Sequence, residues 1–487
     1  MPLVDQGPIR TARMKTLGKV ADAAAVLLIL SAASAAIWGG FKFHPGPVRI
    51  SMTSPIRLAL LAGALIALRH WLIPSEPLHR RLLQAVPRAV RSADVRAAIV
   101  PFVATRLAVL IVAYFAVVTI RFPLEGNRFR ISDNEWLNLP ARWDTGWYLA
   151  IAADGYDFVT QIRGQQSVAF FPAYPGLMRF AGALVGARPS GVYGSREDRV
   201  FRRTLLHTGL VIALAAFFWA LLYLLRLARD LLDEDRARVT LMLLSAYPFA
   251  LFFSAVYTES LFLLASVGSV YHLRRGELGA ASGWGLLAGM TRPNGFFVSV
   301  VLGIMTIEGE RGQGRGDRAK GRLLGGLVVA AMPVIGMLLF TVYLYSETGR
   351  WFLWAQAQAA WGRSFRGVTA LVSEHYRYLN TYGFDRYTAD LPIDLLNGLG
   401  VAFTLALVWP MWRRFGLAFP TYVALTVLSP LLAGGLLSMG RVTCVLFPTF
   451  LTFAALVPSR HVPAWTAAFA LFQALAAILF FTWRGLY

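Results

Sequence analysis

The sequence predicts an all-α protein that crosses a membrane many times. Of its 487 residues, 57% are hydrophobic and 15% are charged, whereas soluble chains average about 45–50% apolar and about 25% charged residues. The hydrophobic residues are gathered into runs of about 20, the length of helix that the hydrocarbon core of a bilayer requires. Cys444 is the only cysteine, which excludes an internal disulfide framework. These observations exclude soluble, disordered and disulfide-stabilised proteins and leave a polytopic membrane protein.

About 13 transmembrane helices are predicted along the chain. Two of them come from residues 278–307, which are too long for one span and are interrupted at Arg292-Pro293-Asn294-Gly295. Because proline and glycine break helices, this stretch is expected to form two short spans that meet at the break. The other eleven apolar runs lie near residues 20–40, 55–73, 97–120, 204–225, 238–254, 257–273, 323–345, 393–412, 418–437, 443–458 and 463–483.

The distribution of basic residues sets the orientation of these spans. Short cytoplasmic loops carry an excess of Arg and Lys, and basic residues before the first run and within residues 80–96 place both segments inside. The third span then delivers residues 121–203 to the exoplasmic side. The apolar run 169–187 within that loop contains prolines and an arginine, so it is expected to lie in the membrane interface. Five arginines consequently remain outside: Arg188, Arg196, Arg199, Arg202 and Arg203.

The net charge of +21 is carried almost entirely by arginine. A basic excess of this size is also found in nucleic-acid-binding proteins. Here, however, the arginines fall between apolar runs, which favours a role in topology and in contact with anionic headgroups. No nucleic-acid partner is expected.

Two carboxylates stand out on the predicted exoplasmic side. Asp144 lies in Arg-Trp-Asp-Thr-Gly-Trp-Tyr, residues 142–148, and aromatic residues of this kind place a segment at headgroup level. An aromatic belt with solvated charges explains the same residues equally well. Glu259 follows Tyr257 at the outer end of a span, where an ionisable group is costly unless it is paired or used. A snorkelling glutamate at a helix end is the alternative.

Arginines on the same side are candidates for anion binding. Arg292 lies at the helix break, where freed backbone N–H groups and a guanidinium together suit a phosphate. Arg441 precedes a span, and Arg363 lies in the loop 346–392. Arg106, in the middle of a predicted span, must pair or line a cavity. The sequence contains no metal-binding spacing of His and Cys, no Gly-rich phosphate loop and no nucleophile elbow.

Six motifs follow one another along the chain. They are the segment 142–156, Phe-Phe-Pro-x-Tyr-Pro at 170–175, Pro248 with Tyr-Thr-Glu-Ser at 257–260, Arg-x-Asn-Gly at 292–295, Gln-x-x-Trp-Gly-Arg at 358–363, and Arg441 with Phe447-Pro448. In this order they resemble the GPI mannosyltransferase 2 family and its prokaryotic relatives, which are GT-C membrane glycosyltransferases. The resemblance covers roughly residues 97–483, and it implies a GT-C type fold with interfacial helices in the first exoplasmic loop.

The resemblance implies a sugar donor linked to polyprenyl phosphate, with mannose as the usual sugar, and transfer with inversion to an exoplasmic acceptor. Asp144 would then be the catalytic base on the acceptor hydroxyl. Glu259 would orient the acceptor, share the base role or help to hold a divalent ion; metal dependence is left open and no other cofactor is expected. The donor phosphate would be bound by Arg292, Asn294, Arg441 and Arg363. The substrate would be positioned by Arg142, Trp143, Tyr148, Tyr156, Tyr174, Tyr257, Gln358 and Trp361.

This interpretation gives the chain four parts. Residues 1–96 form an N-terminal extension with two transmembrane helices, 97–345 a catalytic core including the exoplasmic loop 121–203, 346–392 a second exoplasmic loop, and 393–487 the C-terminal transmembrane helices. The expected partners are the lipid-linked donor, membrane lipids and a glycolipid, lipoglycan or protein acceptor of the cell envelope. The expected location is the bacterial inner membrane, with the active site on the exoplasmic side.

Two other functions compete with the transferase. A secondary transporter of a small anionic or sugar-like solute is the commonest other use of so many spans, and broken helices favour it. The break at Arg292 fits a transporter, but no matching break occurs in another half of the chain. A non-catalytic scaffold for an envelope complex is the second alternative.

Overall fold

The computed structural model is helical except for one short hairpin. It describes residues 54–72, 93–124, 129–158, 164–311, 317–365 and 367–486, together with scattered positions in 17–32 and the two strands of the hairpin. Strand β1 (Phe41–Phe43) pairs antiparallel with β2 (Ile50–Met52), and Phe41 lies opposite Met52. The predicted all-α class is confirmed.

Nineteen α-helices lie within the described residues, and five short 3₁₀ helices connect some of them. The first ten α-helices are α1 (Pro55–Leu72), α2 (Ala93–Thr119), α3 (Glu135–Asn138), α4 (Thr145–Asp154), α5 (Ala173–Leu184), α6 (Arg196–Leu231), α7 (Glu234–Ala246), α8 (Glu259–Arg274), α9 (Leu278–Thr291) and α10 (Val298–Arg311). The others are α11 (Asp317–Thr348), α12 (Leu353–Ala357), α13 (Gly367–Asp390), α14 (Pro392–Ala406), α15 (Val408–Phe415), α16 (Ala418–Gly434), α17 (Met439–Thr443), α18 (Phe447–Leu456) and α19 (Val462–Phe481). The 3₁₀ helices are Ser167–Ala169, Pro248–Ser254, Pro293–Phe297, Gln358–Trp361 and Ser459–His461.

Within the described residues, five helical segments are long and apolar enough to cross a membrane, and a bent pair raises the number to six. The five segments are Ala93–Thr119, Arg196–Leu231, Lys320–Thr348, Pro392–Phe415 and Ser459–Phe481. The bent pair consists of α7 and the 3₁₀ segment Pro248–Ser254, which meet at 80°. The chain is therefore an integral membrane protein. The count of 13 spans stays a prediction, because several predicted spans form shorter apolar helices and the run 20–40 lies largely outside the described residues.

The predicted interfacial run 169–187 forms helix α5, which has 12 residues. A helix of that length rises about 18 Å, well short of the roughly 30 Å of a hydrocarbon core. Helices α3 and α4 in the same loop are shorter still. The loop 121–203 thus contains short helices, as the sequence predicts.

The predicted break near Arg292 lies between α9 and α10, where Pro293–Phe297 forms a 3₁₀ turn. Two glycines allow the broken segment to pack tightly. A Cβ at Gly289 would lie 1.9 Å from the carbonyl oxygen of Pro333 in α11, and a Cβ at Gly295 would lie 2.1 Å from that of Ala288. No larger residue fits at either position without moving backbone.

A second break follows α7, where Pro248 starts the 3₁₀ segment that leads to Glu259. The bend leaves backbone carbonyls without helical partners, and two side chains from other helices satisfy them. Arg106 of α2 donates to Ser245 O at 3.0 Å and to Ala250 O at 2.6 Å. Gln473 of α19 donates to Ser245 O at 3.0 Å and to Tyr247 O at 2.9 Å. Arg106 therefore has a structural partner, as a buried arginine in a span requires.

The chain divides into two compact units, residues 1–95 with 179–186 and residues 96–178 with 187–487. In the first unit, Arg69 of α1 pairs with Asp22 at 2.8 Å. In the second, a large hydrophobic core surrounds α6, α7 and α8, and Phe217 stacks on Phe253 with ring centroids 4.4 Å apart. The candidate site lies entirely in the second unit.

Candidate active site

Asp144 stands directly before α4, on a turn that other parts of the chain hold in place. Trp143 has a left-handed backbone (φ 49°), and its indole Nε1 donates to Phe480 O of α19 at 3.1 Å. The backbone N–H of Asp144 donates to the hydroxyl oxygen of Tyr257 at 3.1 Å. A left-handed conformation costs a non-glycine residue free energy, so these contacts hold Asp144 in a defined position.

Glu259 is the first residue of α8 and is fully buried, with 0% exposure. The positive end of the helix dipole favours a carboxylate at this position. Its Oε1 accepts a hydrogen bond from Arg441 Nε at 2.7 Å, and Arg292 Nη1 lies 3.6 Å from the same oxygen. Its Oε2 has no hydrogen-bond partner among the residues that the structure describes.

Arg441 joins the two carboxylates. Its Nη1 lies 2.5 Å from Asp144 Oδ2 while its Nε contacts Glu259, and its guanidinium carbon lies 4.5 Å from the ring centroid of Tyr257. The short helix α17 that carries Arg441 is fixed by Gly440, whose N–H donates to Asn397 Oδ1 at 2.7 Å. One guanidinium thus connects three segments that are far apart in the sequence.

A cavity of about 600 Å³ opens beside this cluster. Its charged lining residues are Asp144, Arg292, Arg363 and Arg441. Its uncharged polar lining residues are Tyr148, Gln165, Thr258, Thr291, Asn294, Gln358, Ser429 and Ser438. The aromatic side chains of the wall are Phe170, Phe171, Phe296, Phe297, Trp354 and Trp361. The cavity therefore combines a charged end of the site with a large apolar wall.

Arg363 differs from the other two cationic residues of the cavity. Burial, together with the positive charges of Arg441 and Arg292, lowers the pKa of its guanidinium to about 10. No carboxylate of the described residues lies within ion-pair distance of it, and its Nη2 donates only to Leu437 O, at 3.4 Å. Glu259 does not line the cavity but contacts Arg441. The three guanidinium groups of the cavity therefore lie near two carboxylates, those of Asp144 and Glu259. This leaves an excess positive charge that an anion would neutralise.

The structure brings most of the predicted site residues together. Asp144, Tyr148, Arg292, Asn294, Gln358, Trp361, Arg363 and Arg441 line the cavity. Glu259 and Tyr257 do not line the cavity, but each contacts a residue that does: Glu259 accepts from Arg441, and the Tyr257 hydroxyl accepts from the N–H of Asp144. The hydroxyl groups of Tyr148 and Thr258 share a hydrogen bond of 3.4 Å. Burial raises the pKa of the Tyr148 phenol to about 12, so this hydroxyl stays neutral.

Five residues predicted to position substrate do not line the cavity; Tyr257 contacts the charged cluster, and the other four have other partners. Arg142 is buried and donates to Phe481 O at 2.8 Å and Asn138 O at 2.5 Å. Trp143 contacts Phe480, Tyr156 donates to Phe170 O at 2.8 Å, and Tyr174 donates to Gly209 O at 2.8 Å. All prominent residues of a motif were predicted to face the substrate, but neighbouring residues of a helix or turn point in different directions. These four side chains hold the loop that carries Asp144.

Sequence reasoning missed several polar residues of the cavity. Thr258 belongs to the motif 257–260 and Ser438 lies three residues before Arg441, so their positions are a signal that sequence reasoning could have used. Gln165 lies in an irregular segment and Ser429 lies inside α16. Nothing in the sequence around these two residues indicates that they face a cavity.

The arrangement of the carboxylates does not fit a divalent cation between them. Cations of this kind take carboxylate oxygens as ligands, but the guanidinium of Arg441 already contacts both Asp144 and Glu259. The described part of the chain also holds no group of three or more His, Cys, Asp or Glu residues that could bind a metal. The proposed chemistry therefore uses no metal ion.

Comparison with known proteins shows a family resemblance over part of the chain. Residues 129–310 match the family model described as "Mannosyltransferase (PIG-V)". This match confirms the family resemblance predicted from the sequence, and it supports the predicted enzyme class. Of the clustered residues, Asp144, Glu259, Arg292 and Asn294 lie inside the matched segment, and Arg363 and Arg441 follow it.

Two solved structures of an Archaeoglobus fulgidus oligosaccharyltransferase are also similar to this chain. One, tethered with an acceptor peptide containing the NVT sequon, has 12% sequence identity and a TM-score of 0.38, over 78% of this chain and 55% of that chain. The other, a complex with Zn and sulfate, has 15% identity and a TM-score of 0.34, over 77% and 52%. The chain thus covers about half the length of these structures. No curated protein matches it.

Proposed function

We propose that this protein is a membrane glycosyltransferase that moves a sugar, with mannose as the first expectation, from a polyprenyl-phosphate donor to a hydroxyl group of an exoplasmic acceptor, with inversion. One observation carries the proposal: a single cavity holds the Asp144 carboxylate and a guanidinium, Arg363, that has no carboxylate partner among the described residues. An inverting transfer needs a base for the attacking hydroxyl and a cation for the leaving phosphate. The presence of one group of each kind in the cavity supports the proposal.

Asp144 is the proposed general base. The acceptor hydroxyl gives its proton to the carboxylate, its oxygen bonds to the anomeric carbon, and the bond from that carbon to the phosphate oxygen breaks. Polyprenyl phosphate leaves with the electron pair of that bond. Arg441 engages Oδ2 of Asp144, while Oδ1 has no hydrogen bond with a described residue and is available for the proton.

Arg363 and Arg292 are the proposed ligands of the phosphate, with Asn294 beside them. Arg292 Nη1 lies 3.6 Å from Glu259 and has no hydrogen-bond partner in the described part of the chain, since that distance exceeds a hydrogen bond. Arginine binds phosphate through paired N–H donors. Arg441 uses two of its nitrogens on the carboxylates, so its proposed role shifts from binding phosphate to positioning Asp144.

The size and lining of the cavity support a lipid-linked sugar. Ligand pockets range from about 300 to about 1,000 Å³, and this cavity of about 600 Å³ lies within that range. Trp361, Trp354 and Phe170 offer aromatic faces, and Pro430, Ala433 and Leu437 add an apolar side to the wall. Such surfaces suit the carbon face of a sugar and the first units of a prenyl chain.

The proposal is tested by supplying the donor directly. Membranes containing the protein are incubated with radiolabelled polyprenyl-phosphate mannose, and the labelled glycolipid, lipoglycan or protein is isolated and its anomeric configuration determined by NMR. We expect protein-dependent labelling with a configuration opposite to that of the donor. Labelling from a nucleotide sugar after removal of all lipid-linked donor, or a retained configuration, would overturn the proposal. The expected site of the acceptor is the exoplasmic face of the bacterial inner membrane.

A further inference from the structure

A second cavity of about 480 Å³ is lined mostly by arginines and shares no residue with the first. Its lining consists of Arg130, Ile131, Ser132, Asp133, Arg196, Arg199, Val200 and Arg203. Three of these arginines belong to the group that the topology prediction leaves on the exoplasmic side, against the usual distribution of charge. We propose that this basic pocket binds a phosphate-bearing anion, and that an anionic phospholipid headgroup is the ligand its position favours.

One wall of the basic pocket is a single face of helix α6. Arg196, Arg199 and Arg203 are spaced by three and four residues, which places them on the same side of a helix. Arg202 serves a different purpose, because it pairs with Asp198 at 3.0 Å and with Asp154, the last residue of α4, at 2.8 Å. The three pocket arginines of α6 are therefore not used in this ion pair.

Both walls of the basic pocket are held in place before any ligand binds. In the loop, Asn138 Oδ1 accepts hydrogen bonds from the backbone N–H groups of Ile131 at 3.0 Å and Ser132 at 3.1 Å. At the start of α6, Ser195 Oγ accepts from the N–H of Asp198 at 3.1 Å. A preformed site loses less entropy on binding than a flexible one.

The charges of the basic pocket favour an anion with several oxygens. Four guanidinium groups line it beside one carboxylate, Asp133. Arg130 is paired with Glu135 at 2.7 Å and Arg199 donates to Gly194 O at 2.6 Å, whereas Arg196 and Arg203 have no carboxylate within ion-pair distance in the described residues. Guanidinium groups that share a pocket repel one another, and a phosphate relieves this repulsion while accepting bidentate hydrogen bonds.

The position of the basic pocket favours a lipid as the source of the phosphate. Helix α6 contains one of the apolar windows long enough to cross a membrane, and the three arginines occupy its first two turns. Basic residues at the end of a span lie at the level of the headgroups, where they attract anionic lipids. The exposed side chain of Val200, between the arginines, suits the glycerol and first acyl carbons of a lipid.

Ligand titration of the purified full chain in a neutral detergent tests this inference. The probes are dihexanoyl phosphatidylglycerol, dihexanoyl phosphatidylcholine, glycerol phosphate and inorganic phosphate, and the readout is the rise in Tm with probe concentration, which gives an apparent Kd. The triple variant Arg196→Gln, Arg199→Gln and Arg203→Gln is expected to bind phosphatidylglycerol at least about 10-fold more weakly than the unaltered chain. Arg188→Gln removes one positive charge from the same loop outside the pocket, which matches the single variant Arg203→Gln, and it is expected to bind normally.

The probes also distinguish the source of the phosphate. Tighter binding of phosphatidylglycerol than of both glycerol phosphate and inorganic phosphate assigns the pocket to a lipid. Binding of either soluble anion as tight as that of phosphatidylglycerol assigns the pocket to a soluble anion and overturns the lipid assignment. If the triple variant does not fold, the single variant Arg203→Gln replaces it, with a loss of about 3-fold or more expected. Unchanged binding in the variants, an equal loss in Arg188→Gln, or binding of phosphatidylcholine as tight as that of phosphatidylglycerol would overturn the inference. Because no sugar transfer is measured, the result is independent of the proposed function.

Discussion

At the scale of residues, the site depends on one arginine that contacts two acids. Arg441 sets the position of Asp144 through Oδ2 and neutralises Glu259, which is fully buried. A buried charge is tolerated only when it is paired, so the three groups form a unit whose members depend on each other. Arg363 stands apart from this unit and gives the cavity its uncompensated positive charge.

Arg441→Lys is expected to lower kcat by about 100-fold while the protein still folds. A lysine ammonium cannot reproduce the two contacts that the planar guanidinium makes from Nη1 and Nε, so Asp144 loses its fixed position. The comparison is between initial rates of sugar transfer and Tm in detergent for the two proteins. A rate within 3-fold of the unaltered enzyme would show that this bridge is unimportant.

Chelation of divalent cations is expected to leave the transfer rate unchanged, because a guanidinium already contacts both carboxylates. The rate is measured before and after dialysis against EDTA and then after addition of Mn²⁺. A loss of activity with EDTA that Mn²⁺ restores would contradict the geometry of the site.

Arg363→Gln is expected to raise the KM for the lipid-linked donor by about 10-fold or more, since a charge-assisted hydrogen bond contributes about 1.5–3 kcal/mol. The acceptor KM is expected to change little. Arg377→Gln, an exposed position in the same predicted loop, is the matched control and is expected to behave as the unaltered chain. An equal change in both variants would indicate a general effect of charge.

The sequence was sufficient to select both carboxylates and the arginines around them. The cost of an ionisable residue at the end of a span made Glu259 conspicuous, the aromatic neighbours of Asp144 indicated headgroup level, and the helix break made Arg292 a candidate anion ligand. The sequence was not sufficient to show that Arg441 bridges the acids, because the contact joins residues of α8, α17 and the loop before α4. It also could not separate Tyr148, which lines the cavity, from Tyr174, which is buried against Gly209.

At the scale of elements, the site is assembled by breaks in helices. The 3₁₀ segment after Pro248 leads to Glu259, the turn Pro293–Phe297 follows Arg292, and α17 carries Arg441. The break at Arg292 was predicted from proline and glycine. The apolar run predicted from residue 204 belongs to α6, which begins earlier, at Arg196. Hydropathy detects only the apolar part of a helix, and polar residues extend α6 back to its N-cap Ser195.

Gly440→Ala is expected to destabilise the protein by about 1–3 kcal/mol, the usual cost of overpacking, and to reduce activity. A Cβ at this position would lie 2.1 Å from the ring of Phe249, so α17 must shift and Arg441 with it. Thermal unfolding and transfer assays measure the two effects. Gly283→Ala in α9, where a Cβ meets no atom within 4 Å, is the control and is expected to leave both unchanged. Equal behaviour of the two variants would refute the role of Gly440.

At the scale of the whole molecule, the charge of +21 divides into contributions with different purposes. Most arginines of the short loops lie on the side predicted to be cytoplasmic, while Arg292, Arg363 and Arg441 meet in the cavity and Arg196, Arg199 and Arg203 share one helix face in the basic pocket. Residue counts could predict the first group. The cavity group required the fold, since its members come from segments that are distant in the sequence, and only the fold brings Arg130 to the helix face of the basic pocket.

Cysteine labelling tests the predicted orientation. Ser190→Cys is expected to react with a membrane-impermeant maleimide in intact cells, whereas Gln313→Cys, outside the described residues, is expected to react only after permeabilisation. The native Cys444 is buried and serves as the unreactive background. The opposite pattern at either position would invert the assignment of the cavity to the exoplasmic side.

The most direct test of the account is the rate of mannose transfer from polyprenyl-phosphate mannose by purified Asp144→Asn. Removal of a general base typically costs about 10²- to 10⁴-fold, and asparagine preserves the size of the side chain. The account predicts a loss in that range with a protein that still folds and an unchanged KM for the donor. Transfer at more than about a third of the normal rate would contradict the assignment of Asp144 as the base and the mechanism built on it.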